Sequence, residues 1–453
     1  MKRVLLVTYY FPPAGGMAVQ RPLALARYLR GFGFEPTVLT LADGAYPERD
    51  AGLLARVPPD VEVVRTDAFD PFTLYARLTG KRREEAMPLG HLGPPKGAMD
   101  RLARWVRGNV FLPDARVGWV PYAVRAARRL TRTKTFDAVL TTGPPHSLHL
   151  IGRALHRRPG LPWVADFRDP WTGISYYHQL PMSKAARRLD AALERRVLRA
   201  ATRITTVSAA WRAMLAEKGG RALDDVTLVH NGFDEEAFGA IDRTAWRRKD
   251  VFELAHVGSL YGSRNPVALW DALARLRGGA ALPRLRLRLV GTVGEEVRAD
   301  LAARGLDAVL DWTPRLPHTE AIPAMGHATA LILSIEAYQN EQGNMTGKLY
   351  EYLGAGRPVV GVGPPEGEAA QLLEATGGGR LFARDDVDGL ARHLRALYDR
   401  WAAGEDVPGA SPEAARPYGR RAQTGAMARV LEAAIGAEGE KGADPANARG
   451  GRA

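Results

Sequence analysis

Short apolar runs alternate with longer helical or loop segments along most of this 453-residue chain. A first series of such runs occupies residues 4–8, 37–40, 61–64, 138–141, 163–165, 204–207 and 226–229. A second series occupies residues 253–257, 286–290, 309–311, 330–333 and 358–362. Parallel strands need a long crossover between them, usually a helix, and are buried on both faces. The alternation therefore predicts two α/β domains, each built around a parallel sheet.

Chain length and polar segments set the predicted domain boundaries. A chain of this length holds two to three domains, and its 46% hydrophobic content supplies two large cores. We predict a first Rossmann-like domain over residues 1–240, a polar linker at 241–250 and a second Rossmann-like domain over 251–405. A helix within 406–436 is predicted to return to the first domain. Residues 437–453 are rich in Gly, Ala, Glu and Lys, which predicts a disordered tail.

Composition excludes several classes of protein. The chain has no cysteine, so disulfides, thiolate catalysis and cysteine-ligated metal sites are excluded. Its first apolar stretch is interrupted by Tyr9, Tyr10, Pro12 and Pro13 before a signal-peptide core is complete. No apolar run reaches membrane-spanning length. We therefore expect a cytoplasmic protein.

The net charge of +13 is concentrated in the N-terminal half. Residues 250–400 hold 16 basic and 19 acidic side chains, whereas residues 81–134 hold 13 basic and 4 acidic ones. This basic helical insert, about residues 70–135, is interleaved with Leu102, Trp105, Val106, Val110, Phe111 and Leu112. Three interpretations are open: a solvated surface, contact with anionic lipid at the inner face of the cell membrane, or contact with nucleic acid. The balanced charge of the second domain argues against the last, so no nucleic-acid partner is expected.

The segment 346–362, TGKLYEYLGAGRPVVGV, combines a helix start, a Lys, a Glu and a Gly-x-Gly-Arg-Pro break before an apolar run. Asn344, Met345 and Thr346 lie at the helix start, where backbone amides attract an anion, and Lys348 adds a positive charge there. Glu351, one turn further on, is placed to accept hydroxyl hydrogen bonds, as from a ribose. The segment predicts a sugar-nucleotide site. The alternative is an ordinary helix with a solvated Lys-Glu pair.

Candidate site residues also follow three strands of the predicted first domain. The carboxyl ends of such strands are where open α/β sheets bind ligands. Gly15 and Gly16 lie in the first loop, which lacks the G-x-G-x-x-G pattern of nicotinamide sites but lets backbone amides approach a phosphate or sugar. His146 and His149 follow the strand at 138–141. Either imidazole is open to a structural role as a helix cap or core residue.

The strand at 163–165 is followed by Asp166, Arg168 and Asp169, which are too polar for buried positions unless they are paired or functional. One carboxylate would orient an acceptor hydroxyl or stabilise positive charge on a donor sugar. A structural Asp-Arg pair that closes the loop is the alternative. The one Asp-x-Asp triplet, at 386–388, precedes a helix and is interpreted as its N-cap, so no metal site is predicted.

Nearly end to end, these motifs resemble the retaining glycosyltransferases of family 4. The resemblance implies the α/β GT-B fold, in which two Rossmann-like domains face a central cleft. It implies transfer of a sugar from a nucleoside diphosphate sugar donor to an acceptor hydroxyl with retention, with no cofactor and no obligatory metal. The acceptor would be a glycan or lipid-linked sugar, as in cell-surface polysaccharide synthesis. The predicted catalytic side chains are then Asp166, Arg168, Asp169 and His146.

On the donor side, the family pattern is matched with two departures. Gly258, Ser259 and Arg264 resemble the family's diphosphate clamp, but a basic residue is usual where Ser259 stands, and Lys348 is expected to replace its charge. The family pairs two glutamates with seven residues between them, the second matching Glu351, but position 343, where the first would stand, is Gly. The contact to the donor sugar is then expected from Glu341, from Asn344, or from backbone amides of residues 343–346.

Two other functions remain open from the sequence. A sugar-nucleotide epimerase shares the GT-B fold and the same donor. A non-catalytic nucleotide-sugar-binding protein is suggested by Gly343 and Ser259, which replace expected polar groups. Products formed without an acceptor would distinguish the epimerase from a transferase.

Overall fold

The computed structural model describes residues 1–44, 46, 48–69, 97–245, 250–314, 316 and 318–443. The chain divides into two compact units. The first unit comprises Met1–His230 together with the chain from Gln423, and the second comprises Asn231–Ala422. Residues 70–96 of the predicted basic insert, residues 246–249 of the predicted linker and residues 444–453 of the predicted tail lie outside the described residues.

The first unit is built on a seven-stranded parallel sheet with the strand order β3-β2-β1-β4-β5-β6-β7. Its strands are β1 (Lys2–Val7), β2 (Phe34–Leu41), β3 (Glu62–Thr66), β4 (Ala138–Gly143), β5 (Trp163–Phe167), β6 (Arg203–Thr206) and β7 (Val226–Leu228). Its helices before residue 230 are α1 (Met17–Tyr28), α2 (Ala98–Asn109), α3 (Val120–Thr133), α4 (Leu148–Arg157), α5 (Lys184–Ala200) and α6 (Ala209–Gly219).

The second unit is built on a six-stranded parallel sheet with the strand order β10-β9-β8-β11-β12-β13. Its strands are β8 (Phe252–Val257), β9 (Leu285–Val290), β10 (Leu310–Thr313), β11 (Ala330–Ser334), β12 (Val359–Val362) and β13 (Gly379–Phe382). Its helices are α7 (Glu235–Gly239), α8 (Val267–Gly278), α9 (Glu295–Ala303), α10 (His318–Gly326), α11 (Gly347–Ala355), α12 (Glu368–Thr376), α13 (Val387–Ala402) and α14 (Pro412–Ala415). The two-domain parallel-sheet prediction is confirmed, and both sheets have the Rossmann order.

The last helix, α15 (Arg420–Ala443), begins in the second unit and belongs to the first from Gln423 onward. Side chains alternate across β1, so Val4 and Leu6 face one side of the sheet. Both are fully buried in a cluster that includes Met427 and Leu431 of α15. The helix therefore closes one face of the first sheet.

Two boundaries and one strand differ from the sequence prediction. The units divide at residues 230/231 rather than at 241–250, because Asp234 caps α7 and pairs with Arg420 within the second unit. Helix α15 continues to Ala443 through the first part of the predicted disordered tail, where Ala, Glu and Lys are good helix formers. Strand β13 was not predicted, because its four residues begin with Gly379 and only two of them are buried.

Candidate functional site

In the second sheet, the chain adds strands on one side from β8 to β10 and on the other side from β11 to β13. The order in which strands are added therefore reverses between β8 and β11. Helices leave the two strands on opposite faces at such a point, which opens a crevice beyond the carboxyl ends. Gly258 directly follows β8, and Glu336 lies two residues beyond the end of β11. The predicted donor residues are therefore expected to lie at this edge of the second sheet.

Gly258 adopts a positive φ of 153° and lies against the side chain of Lys348. A Cβ atom at position 258 would lie 3.0 Å from Cε of Lys348 and 3.3 Å from Nε2 of His256. On the other side, a Cβ atom at Gly291 would lie 2.2 Å from the Gly258 carbonyl oxygen. Only glycine permits this backbone approach. The side chain of Lys348 is thereby brought to the end of β8.

Lys348 forms an ion pair with Glu351, with 2.8 Å between Nζ and Oε2. The Glu351 side chain is 2% exposed and that of Lys348 is 27% exposed. A carboxylate this deeply buried needs a partner, and Lys348 supplies a positive charge at the surface of the site. The predicted Lys-Glu pair is therefore present, but it is only partly solvated.

The N-terminus of α11 holds the other predicted donor residues. Thr346 is the N-cap residue, yet its side chain makes no capping hydrogen bond. Its Oγ1 atom is buried and has no hydrogen-bond partner among the described residues. Asn344 is half-buried and Met345 is buried beside it. Backbone amides at the start of a nine-residue helix carry partial positive charge and bind anions.

Arg264 lies in a short turn after Gly258 and pairs with Glu336, with 3.2 Å between Nη2 and Oε2. Ser263 Oγ donates to the other oxygen of Glu336 at 3.2 Å. Ser259, the position without the family's basic residue, is exposed. Sequence reasoning missed Glu336, although a carboxylate just past a buried strand was a visible signal.

Glu341 is held by Arg384, whose guanidinium donates to both carboxylate oxygens at 2.5 and 3.3 Å. Arg384 also donates to the carbonyl of Ile335 at 3.0 Å. Glu341 is thus part of an ion pair that anchors the turn before Asn344. This pairing leaves Asn344 and the nearby amides as the better-placed predicted contacts for a donor sugar.

In the first unit, the paired glycines lie against Glu48. The amide of Gly15 donates to the Glu48 carbonyl at 2.8 Å, and a Cβ atom at position 15 would lie 2.8 Å from Cγ of that residue. Gly16 has a φ of 77° and is the N-cap residue of α1. The glycines therefore serve a close backbone approach to Glu48 at the start of α1.

His146 lies beyond β4 in an aromatic stack. Its ring centroid is 5.3 Å from that of Trp171 and 5.7 Å from that of Phe167. Burial lowers the pKa of His146 to about 3, and the Arg168 charge acts in the same direction. His149 is fully buried, and its Nδ1 is 2.9 Å from Thr141 Oγ1. Both imidazoles are neutral at pH 7, which makes His146 a weak base and gives His149 a structural role.

Asp166 does not fit the catalytic role predicted for it. Its side chain is fully buried, and Arg21 binds both carboxylate oxygens, at 2.8 and 2.9 Å. Thr142 and Thr205 each donate a hydroxyl hydrogen bond to it at 2.7 Å. Four donors saturate the carboxylate. Asp166 therefore ties α1 to β4, β5 and β6, as in the alternative of a structural Asp-Arg pair, although the arginine is Arg21.

Arg168 is likewise directed into the protein. Its guanidinium donates to the carbonyl oxygens of Gly143 and Ala18 at 2.9 Å each and of Pro144 at 3.4 Å. Burial lowers the pKa of Arg168, and the charges of Asp166 and Asp169 oppose that shift. Arg168 thus fixes the loop after β4, in place of the catalytic contact predicted for it. Asp169 is half-buried and is the more accessible of the two predicted carboxylates.

The loop after β5 is anchored to α5 by buried carboxylates. Asp190 accepts hydrogen bonds from Trp171 Nε1 and Tyr177 Oη at 2.8 Å each. Glu194 accepts from Thr172 Oγ1 at 2.6 Å and pairs with Lys218. Desolvation raises the pKa of Asp190 to about 6. The loop that carries Asp169 is therefore held at several points, which sequence patterns did not reveal.

Comparisons with known proteins give the same assignment for both units. The model of Glycosyltransferase Family 4 matches residues 15–237, and that of Glycosyl transferases group 1 matches residues 252–400. A sequence comparison with curated proteins finds no match.

Among solved structures, a glycosyltransferase from Rickettsia africae aligns with a TM-score of 0.61 at 11% identity, over 96% of this chain and 98% of that one. Anabaena HepE, in complex with UDP-glucose, aligns with a TM-score of 0.61 at 17% identity, over 96% and 100%. WaaG, a glycosyltransferase involved in lipopolysaccharide biosynthesis, aligns with a TM-score of 0.56 at 15% identity, over 94% and 99%. At these identities the alignments show the fold, which is GT-B.

Two Rossmann-like units, together with the glycosyltransferase models that match both of them, define a transferase of the GT-B class. The chain belongs to the glycosyltransferases in which a family 4 N-terminal domain precedes a group 1 C-terminal domain. The predicted membership of glycosyltransferase family 4 and the predicted GT-B fold are thereby confirmed.

The structural role of Asp166 predicts a stability defect in Asp166→Asn. This change leaves the buried Arg21 charge without its carboxylate, and breaking a buried ion pair costs about 3–5 kcal/mol. Asp169→Asn, three residues further along and half-buried, is the matched control and should cost less than about 1 kcal/mol. Urea unfolding of both variants measures the difference. An Asp166→Asn variant that is as stable as the wild type would contradict the structural assignment.

Proposed function

We propose that this glycosyltransferase moves a sugar from a nucleoside diphosphate sugar to an acceptor hydroxyl with retention of configuration. The observation that carries the donor assignment is the Lys348–Glu351 pair on the first turns of α11, directly beside Gly258. It places a cation, helix amides and a carboxylate together at the strand-reversal point of the second sheet, where α/β proteins bind nucleotides.

Each group of the proposed sugar-nucleotide site has a role suited to its chemistry. Lys348 and the amides at the start of α11 hold the diphosphate, since both supply positive charge at one position. Arg264 adds a second cation. Glu351 accepts hydrogen bonds from ribose hydroxyls. The exposed Ser259 leaves the clamp without a charge at that position, and Lys348 supplies the missing cation.

The reaction exchanges one bond to the anomeric carbon for another. The bond from that carbon to the diphosphate oxygen breaks, and a bond to the acceptor oxygen forms on the same face. The acceptor proton passes to the departing diphosphate. The protein positions both substrates and stabilises the charge that develops on the diphosphate. No cofactor and no metal ion are invoked for these steps.

On the acceptor side, we propose a glycan or lipid-linked sugar and a role in cell-surface polysaccharide synthesis. The fold-level similarity to WaaG, which is involved in lipopolysaccharide biosynthesis, supports this class of acceptor. The structure of HepE with UDP-glucose supports a UDP-sugar as the first donor to be tried. Asp169 and His146 remain the proposed acceptor-side residues, with Asp169 the better exposed of the two.

Contact with an anionic membrane is a further part of the proposal. Within the described residues no helix is long and apolar enough to cross a bilayer. Helix α2 and its end expose four large apolar side chains by half or more, namely Met99, Leu102, Trp105 and Val110. Helix α3 exposes four arginines, namely Arg125, Arg128, Arg129 and Arg132. An apolar face together with basic side chains favours the interface of an anionic bilayer.

The donor assignment is tested by titration calorimetry with UDP, GDP and ADP and their common sugar conjugates, without added metal. Wild type is expected to bind one nucleotide. Glu351→Ala should weaken that binding by about tenfold or more, because hydrogen bonds to charged groups contribute about 1.5–3 kcal/mol. Lys348→Ala and Arg264→Ala should weaken it to a similar extent as each other.

The control is Arg395→Ala, which removes an exposed arginine on α13 and should leave nucleotide affinity unchanged. Equal nucleotide affinity in wild type and Lys348→Ala would contradict the assignment of Lys348 to the diphosphate. If none of the nucleotides binds at millimolar concentration, the donor site itself is wrong. Conversion of the sugar nucleotide into an epimer without acceptor would favour the epimerase instead.

The membrane contact is tested with the double variant Leu102→Ala/Trp105→Ala. Wild type should sediment with vesicles that contain phosphatidylglycerol and less with pure phosphatidylcholine, because anionic lipid attracts the arginines. The double variant should lose most of this binding. Leu189→Ala, a half-exposed leucine on α5, is the control and should bind as wild type does. Equal sedimentation of wild type with both lipids, or of wild type and the double variant, would contradict the proposal.

A further inference from the structure

Glu336 is a second carboxylate at the strand-reversal point, and the proposed function does not use it. The parallel pairing of β8 and β11 places Ala330 beside Leu254. Continued along both strands, this register places position 334, the last of β11, beside Gly258. Glu336 follows two residues later, and its side chain is 12% exposed. Its carboxylate therefore lies mostly buried in the crevice between the two strand ends.

The carboxylate of Glu336 is only half supplied with hydrogen bonds. Ser263 Oγ donates to one oxygen and Arg264 Nη2 to the other, at 3.2 Å each, and these are its only donors among the described residues. An ionised carboxylate accepts about four hydrogen bonds, and Asp166 in the first unit does accept four. The distance to Arg264 also exceeds the about 2.7–2.9 Å typical of a cation and a carboxylate. Each oxygen of Glu336 therefore keeps a lone pair for a further donor.

The proposed donor site thus holds two ion pairs of the same design, Lys348–Glu351 and Arg264–Glu336. In both, the carboxylate is the more buried member, with exposures of 2% against 27% and of 12% against 40%. A bound diphosphate attracts the two cations away from their carboxylates. A buried carboxylate that loses a cation needs new hydrogen-bond donors. Ribose hydroxyls serve Glu351, and the remaining hydroxyls of the donor are those of its sugar.

We propose that Glu336 accepts hydrogen bonds from hydroxyl groups of the transferred sugar, which makes it a specificity-determining residue. The inference rests on the proposed donor site. Glu341, in the same loop, is not available for this contact, because Arg384 binds both of its oxygens. The class of sugar follows from the charge of Glu336. Hydroxyls donate to a carboxylate, whereas a second carboxylate close by is repelled. The donor therefore carries a neutral hexose in preference to a uronic acid.

The test compares a nucleotide with its hexose conjugate in wild type and Glu336→Gln by titration calorimetry. The pair is UDP with UDP-glucose, GDP with GDP-mannose or ADP with ADP-glucose, according to the nucleotide that wild type binds. Glutamine has the shape of glutamate and keeps an acceptor oxygen for Arg264. The variant should lower the affinity for the conjugate, relative to the free nucleotide, by about fivefold or more, because charge-assisted hydrogen bonds are about twice as strong as neutral ones.

Affinity for the free nucleotide separates this role from a structural one. It should be unchanged or higher in Glu336→Gln, because the carboxylate competes with the diphosphate for Arg264. If Glu336 only positioned Arg264, the variant would weaken nucleotide and conjugate by the same factor, and that result would overturn the inference. So would wild-type affinities for both ligands. Asp399→Asn, which removes an exposed carboxylate paired with Arg395 on α13, is the control and should change neither affinity.

The sugar class is tested with the matching uronic-acid conjugate, which is UDP-glucuronic acid for the UDP pair. Wild type should bind it at least about fivefold more weakly than the hexose conjugate, and Glu336→Gln should reduce that difference. Equal or tighter binding of the uronic-acid conjugate by wild type would overturn the assignment of a neutral sugar. Failure of the wild type to bind UDP, GDP or ADP is a different result, which rejects the proposed donor site itself.

Discussion

Parallel strand pairing is the constraint on which the rest of this molecule depends. It buries both faces of each sheet and gathers every strand's carboxyl end at one edge, so polar groups that follow the strands are brought together. In the second unit, Gly258 after β8 and Glu336 after β11 meet residues of α11 and the Arg264 turn for this reason. In the first unit the same rule brings His146 and Asp169 to one edge.

The two edges use their charged groups differently. In the first unit Asp166 is saturated by Arg21 and two threonine hydroxyls, and its charge holds strands and helix together. In the second unit the positive ends of Lys348 and Arg264 stay partly exposed, with side-chain exposures of 27% and 40%. A buried, compensated charge rigidifies a scaffold, whereas an exposed cation opposite a buried carboxylate has electrostatic free energy to gain from an anion.

Local sequence patterns predicted much of this arrangement, because strands and pairs within one helix depend on residues that lie close together in the sequence. The strand runs and the Lys348–Glu351 pair, three residues apart on one helix, follow from periodicity alone. Contacts distant in the sequence did not follow. Asp166 meets Arg21 across 145 positions and Arg264 meets Glu336 across 72, so nothing in their own segments shows which polar residue is buried and paired.

The place of α15 has a consequence for how the chain is made. The second unit is one continuous segment, whereas the first is assembled from two pieces that are separated by it. During synthesis, Val4 and Leu6 leave the ribosome long before Met427 and Leu431, which later cover them. The second unit can complete its core first. The first unit, although synthesised earlier, keeps an apolar face uncovered until α15 has been made. Premature termination near residue 420 would therefore damage the N-terminal unit, and chaperone demand should fall mainly on it.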